Sequence, residues 1–277
     1  MRLGGPIFQK TNDPDSWIKA VQGWGLRAAY CPLEPGAPAH LVQAYAQAAR
    51  QADIVIAEVG AWSNPLSPVE SVRQAALLKC QQSLGLAEEI GARCCVNIAG
   101  SLGEKWDGPC AEDLTADTFD RIVDSVRAII DAVQPTRTFY TLEPMPWMYP
   151  DSPDSYLDLI QAVDRKAFAV HLDPVNMINC PARYFRNADF LQECFDKLGP
   201  YIKSCHAKDI LLQEKLTTVL DEVRPGLGKL NYRQFLRQAH RLEPDLPIMV
   251  EHLPTEEEYR MAVDYIRLVA KAEDLPL

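Results

Sequence analysis

The chain has 277 residues, 47% of them hydrophobic, and carries 38 acidic against 28 basic side chains for a net charge of −10. That length suffices for one large core, and the acidic balance argues against a general affinity for nucleic acid or anionic membranes. The opening MRLGGPIFQK lacks the apolar centre of a signal peptide and no run approaches membrane-spanning length, so a soluble, cytoplasmic protein is expected.

Short apolar runs recur in chain order. They are RLGGPIF (2–8), LRAAYCPL (26–33), DIVIAEVG (53–60), RCCVNIAG (93–100), RTFYTLEP (137–144), FAVHLDPV (168–175), IKSCHAKD (202–209) and IMVEHL (248–253). Each reads as a strand. The segments between them carry helical periodicity. In 117–133, Phe119, Ile122, Val123, Val126, Ile129, Ile130 and Val133 recur at spacings of three and four, and 255–271 does the same from Tyr259 to Ala270. Thr255 and Glu258 carry a capping-box signature at the start of that last helix.

Eight strand–helix units in one chain predict a single (β/α)8 TIM barrel spanning residues 1–277. A doubly wound open sheet would carry a glycine-rich phosphate turn after an early strand. Here Gly4 and Gly5 lie inside the first strand, and RPGLGKLNY (224–232) lacks the GKS/T of a nucleotide loop. The eight cysteines, Cys31, Cys80, Cys94, Cys95, Cys110, Cys180, Cys194 and Cys205, form no CxxC pair and read as free thiols.

In a barrel, chemistry belongs at the C-terminal ends of the strands. The early strands end with Tyr30, Glu58 and Asn97. The last four each deliver one metal-capable side chain: Glu143 in TLEP, Asp173 in HLDP, His206 in CHAKD and Glu251 in VEHL. Singly, each has an ordinary explanation, as a helix cap, a turn former, an arginine partner or a buried hydrogen-bonded histidine. Together, three carboxylates and one imidazole make an oxygen-rich set that suits one divalent cation, and a cation offsets the cost of a carboxylate at the tip of an apolar strand. Mn2+ is the first choice, with Mg2+, Co2+ and Zn2+ as alternatives.

HLDPVN, CHAKD, RPGLGKLNYRQFL and MVEHL also resemble the metal-dependent sugar isomerases and epimerases with the xylose-isomerase-like barrel. That family includes tagatose/psicose 3-epimerases, hydroxypyruvate isomerase and inosose-processing enzymes, and the resemblance spans essentially the whole chain. It implies that Glu143, Asp173, His206 and Glu251 bind the ion, in that order. It also implies that Glu143 and Glu251 are the acid/base pair. Asn176 stands where ketose 3-epimerases carry a substrate-binding histidine, and Leu212 where they carry an arginine. The DNA-repair branch, endonuclease IV, needs several rim histidines, whereas this chain has only His40, His171, His206, His240 and His252.

The expected reaction is isomerisation or epimerisation of a sugar or keto-sugar, by removal of a proton next to a carbonyl through a metal-stabilised enediolate. The alternatives are a lyase or dehydratase on the same metal site, with inosose-dehydratase-like elimination, and a silent binding barrel, which the intact quartet disfavours. Lys208 shares the strand parity of His206 and is expected to reach the pocket, there to bind a substrate oxygen or assist proton transfer, or else to pair with a rim carboxylate; Asn176 is expected to face the substrate. Glu58, Asn97 and Trp62 are candidates for the opposite wall, Trp106 for an aromatic lid, and Arg224 for an anionic substituent. The expected partner is a small carbohydrate, with no nucleic acid or membrane, and the expected assembly a homodimer or homotetramer.

Overall fold

Ten strands follow one another in the computed structural model, which describes all 277 residues. They are β1 (Arg2–Gly5), β2 (Ala28–Tyr30), β3 (Val55–Gly60), β4 (Cys94–Asn97), β5 (Phe139–Leu142), β6 (Phe168–Leu172), β7 (Ile202–Ala207), β8 (Asp209–Leu212), β9 (Leu220–Val223) and β10 (Pro247–Val250). Eight of them close into a parallel barrel in the order β1-β10-β7-β6-β5-β4-β3-β2, a (β/α)8 TIM barrel. The other two, β8 and β9, pair antiparallel as a hairpin between β7 and the helix Tyr232–Leu242. The sequence reading did not contain this hairpin. Its residues Asp209–Leu212 continue the apolar run of β7, and only the return strand shows that the chain has left the barrel.

The barrel strands are shorter than the apolar runs that announced them, because the ladder ends where the chain turns outward toward its helix. The helix expected over 117–133 spans Ala116–Val133 and buries Ile122, Val123, Val126, Ile129 and Ile130 as one stripe. Removing each such side chain from water contributes about 1.5–3 kcal/mol. The last helix runs Glu256–Ala272, and Thr255 caps it by accepting the Glu258 N–H at 3.3 Å. The Glu258 carboxylate does not complete the capping box. It pairs with Arg224 instead.

The barrel closes where β1 meets β10, with Gly4 opposite Met249. A Cβ on Gly4 would stand 2.4 Å from Met249 Sδ and 2.7 Å from Ala28 O, so only glycine fits. All eight cysteines are free, and burial pushes several thiols up, Cys31 to about 11. No helix is long and apolar enough to cross a membrane.

Candidate metal centre

Strand alternation builds the site. Along β5, β6, β7 and β10, Tyr140, Leu142, Val170, Leu172, Cys205, Ala207, Ile248 and Val250 point outward and join the large core beneath the helices. The intervening residues therefore face the barrel axis. This parity brings Glu143, Asp173, His206 and Glu251 together, with one potential ligand atom from each lying within 4.8 Å of the others. The Tyr156 hydroxyl stitches the strands behind two of them, accepting the N–H of Leu142 at 3.1 Å and of His171 at 3.3 Å.

His206 Nδ1 lies 2.7 Å from Glu251 Oε1, 3.1 Å from Glu143 Oε1 and 4.0 Å from Asp173 Oδ2. Asp173 divides its two oxygens between structure and site. Oδ1 caps the short helix Pro174–Met177 by accepting the Asn176 N–H at 3.0 Å, as an Asp before proline should. Oδ2 faces the quartet. Both Asp173 Oδ2 and Glu251 Oε1 are buried without a hydrogen bond of good geometry. Their contacts are with nitrogens only, Lys208 Nζ at 2.8 and 2.7 Å and His206 Nδ1, and two such carboxylate oxygens beside an imidazole nitrogen fit a divalent cation that prefers oxygen ligands.

Lys208 provides the positive charge seen in the structure. Its ammonium is buried and sits 2.7 Å from Glu251 Oε1, 2.8 Å from Asp173 Oδ2 and 3.2 Å from Glu143 Oε1. Burial opposes its charge, but Asp173, Glu143 and Glu251 outweigh burial and hold its pKa well above the usual lysine range. His206 behaves alike: burial lowers its pKa, while Glu251, Glu143 and Glu58 raise it further. Burial would push the glutamates up, yet Lys208 and His206 bring Glu143 down to about 2, and His206 and Lys208 do the same for Glu251. Both glutamates are therefore ionised at neutral pH.

A second polar layer lies beneath the quartet. Glu58 receives His171 Nε2 at 3.0 Å, His206 Nε2 at 3.2 Å and the Ser204 hydroxyl, all of them buried. A carboxylate only accepts, so Glu58 fixes one proton on His206 Nε2; the raised pKa puts a second on Nδ1, facing Glu251 and Glu143, and it is this Nδ1 proton that a cation would replace. Glu58 was expected on the substrate wall. Its hydrogen bonds instead turn it toward the histidines. Asn97, expected on the same wall, is fully buried and spends its amide on both backbone groups of Ser63.

Above the quartet opens a cavity of about 440 Å3 walled by Tyr30, Trp62, Trp106, Met145, His252 and Tyr259, with Glu143 and Glu251 on its floor. Trp62 and Trp106 both line this cavity. Lys208 and Asn176 do not line this cavity. Lys208 is among the carboxylates, and the Asn176 amide donates to Glu143 Oε1 at 3.1 Å and Pro144 O at 3.0 Å. Arg224 is also outside it, its guanidinium held 2.7 Å from Glu258. The glycine-rich RPGLGKL segment serves another purpose: the N–H groups of Gly226, Gly228 and Leu230 bind the Asp209 carboxylate at 2.9–3.0 Å. A Cβ on Gly228 would meet Asp209 Oδ1 at 2.3 Å.

Two residues escaped the sequence reading. His252 follows Glu251 with a positive φ of 55°, and its Nε2 lies 3.7 Å from Glu251 Oε2. Its hydrogen bond to Glu222 raises its pKa above the ordinary histidine value. Glu222 comes from the unexpected hairpin and also lies 3.8 Å from Lys208. His252 was visible as the neighbour of a proposed ligand; nothing local marked Glu222.

The closed parallel barrel thus gathers three carboxylates and a histidine at the C-terminal ends of its strands, the face where such barrels carry their sites. The profile of the xylose isomerase-like TIM barrel matches residues 19–269, and the chain belongs to that family. No characterised protein sequence gives a significant match. Several solved structures share the fold. A xylose isomerase-like TIM barrel protein from Mycobacterium smegmatis, in complex with magnesium, is 16% identical with a TM-score of 0.68, covering 98% of this chain and 97% of that one. The probable 3-DHS dehydratase AsbF involved in petrobactin synthesis from Bacillus anthracis is 16% identical with a TM-score of 0.70, over 98% and 99% of the two chains. D-Psicose 3-epimerase from Clostridium cellulolyticum H10, solved with D-tagatose, is 15% identical with a TM-score of 0.69, over 97% and 99%.

Proposed function

We propose that this barrel is a divalent-metal-dependent isomerase or epimerase of a sugar or keto-sugar. One observation carries the reading. Of the four converging ligand residues, Glu143 and Glu251 also floor the open cavity, so the same carboxylates that gather a cation meet whatever enters. Glu143, Asp173, His206 and Glu251 would hold the ion, with Mn2+ preferred and Mg2+, Co2+ or Zn2+ as alternatives. When bound, it supplies Lewis-acid stabilisation for the charge that develops on a carbonyl oxygen as the neighbouring C–H loses its proton.

The chain's own residues handle the proton. Glu143 follows β5 and Glu251 follows β10, with β6 and β7 between them in the barrel, so a sugar in the cavity is bordered on two sides. Each glutamate is ionised and can accept a proton from the face it borders. Return of a proton on the opposite face needs a protonated donor. His252, 3.7 Å from Glu251, is placed to recharge that glutamate. The tryptophans and Tyr259 exclude water from the cavity walls.

The same first step leads to a dehydratase if a β-hydroxyl then departs. Incubating the Mn2+-loaded protein in D2O with a panel of sugars and keto-sugars, followed by NMR, separates the outcomes. Deuterium in an otherwise unchanged carbon skeleton marks isomerisation or epimerisation, and loss of water marks elimination. Absence of both across the panel, with metal occupancy verified, would refute the proposal.

A further inference from the structure

Two indoles stand at the cavity mouth, and buried polar groups hold their loops from behind. Trp62 is 39% exposed, yet Ser63 beside it is fixed at both backbone groups by Asn97, at 3.1 and 3.2 Å. Asn64 accepts the Leu66 N–H at 3.1 Å and donates to Ser101 O at 2.8 Å, tying this loop to the one that carries Trp106. Asp113 then accepts from the Ser101 hydroxyl at 2.6 Å and from the Leu102 N–H at 2.8 Å. Asn64, Asn97, Ser101 and Asp113 are all buried. Gly60 leaves room for the arrangement, since a Cβ there would stand 2.5 Å from Trp62 Nε1.

Buried polar side chains are retained at a cost unless fully bonded, and here their bonds go to the backbone of two surface loops. The result is that the loops carrying the two indoles are tied down at Ser63, Ser101 and Leu102 before any ligand arrives. They wall two spaces. One is the cavity above Glu143 and Glu251; the other is a groove of about 560 Å3 lined by Val72, Ala75 and Ala76, with Ser71 and Lys79 beside them. Lys79 already donates to Trp62 O at 3.0 Å, and across the joint lining the carboxylates of Asp107, Glu143 and Glu251 outnumber Lys79 and His252. An anionic group such as a phosphate is unsuited to such a surface. An apolar floor between indoles with polar groups beside it suits a ring that has C–H faces and hydroxyl edges.

We propose that Trp62 and Trp106 clamp a second ring, and that the preferred substrate is an uncharged two-ring carbohydrate. Its reacting ketose sits above Glu143 and Glu251, and its glycosidic ring occupies the groove against Ala75. This narrows the substrate class of the isomerase reading and rests on it. A monosaccharide fills the first space alone and forgoes the contacts of the second.

Binding to the Mn2+-loaded protein, followed by tryptophan fluorescence and ligand-observed NMR, tests the clamp. The probes are D-fructose and two ketose disaccharides, lactulose and isomaltulose. At least one disaccharide should bind about tenfold tighter than D-fructose, the increment expected of a second stacked ring. Trp106→Ala and Ala75→Trp should each erase most of that advantage. Equal affinities for one-ring and two-ring probes, failure of both disaccharides to bind, or variants that weaken every probe by the same factor would overturn the proposal. Because binding is read without turnover, the two ideas fail separately. A disaccharide preference without deuterium entering any sugar counts against the isomerase reading, whereas deuterium in D-fructose without that preference counts against the clamp.

Discussion

Cation binding should release one proton. In the metal-free protein His206 holds its proton well above the ordinary histidine range, because Glu251, Glu143 and Glu58 outweigh its burial. Ligation through Nδ1 requires the neutral ring, so the proton must leave. Glu143 and Glu251, at about 2, are already ionised and contribute none. Lys208 lies farther above neutrality and stays charged through the working range. The sign follows from linkage: metal affinity rises with pH wherever the metal-free state carries the extra proton. One proton corresponds to about tenfold per pH unit, or about 1.4 kcal/mol, over the pH range in which metal-free His206 keeps its proton. Calorimetric titration of Mn2+ in buffers of different ionisation enthalpy counts the proton directly. His206→Asn should bind weakly and lose the slope. A flat affinity profile with no proton released in the wild type would show that His206 is neutral before the cation arrives, and the electrostatic account of the quartet would be wrong.

Three further outcomes follow from the same geometry. Glu251→Gln keeps the shape of the side chain but cannot take up a proton, so turnover should fall by about 10²–10⁴ at saturating, verified Mn2+ while circular dichroism is unchanged; wild-type turnover would leave Glu251 a ligand only. Glu58→Gln keeps only one acceptor oxygen, which cannot serve both His206 and the His171–Ser204 pair, and Mn2+ affinity should weaken by about 10–100-fold in a folded protein; an unchanged dissociation constant would make Glu58 a purely structural residue. Lys208→Met strips the buried cation from three carboxylates and should destabilise the metal-free protein by about 3–5 kcal/mol. Most of that should return on adding Mn2+, as read by denaturant melts with and without the ion, and a loss that Mn2+ does not repair would place the role of Lys208 outside the quartet.

What the sequence determined by itself is what depends on local periodicity. A strand's side chains alternate with period two, so an apolar run such as Phe168–Leu172 announces both a strand and the face opposite its outward residues. Reading the ends of successive runs in a barrel therefore sufficed to bring Glu143, Asp173, His206 and Glu251 to one rim, since the fold supplies convergence for any residues at those ends. The partners of each polar group are a different matter. Glu58 sits at the inward face of β3, but its turn toward His171 and His206, more than a hundred residues away, depends on closure of the barrel. Arg224 looked free to bind an anion until the last helix brought Glu258 beside it. The sequence excluded a nucleotide loop at RPGLGKL, but not until the chain folds does the Asp209 carboxylate come to fill the backbone cradle of its glycines. A charged or polar side chain reaches several angstroms and bonds to whatever the tertiary structure brings within that reach, so its identity predicts that it will be satisfied, and only the folded chain decides by what.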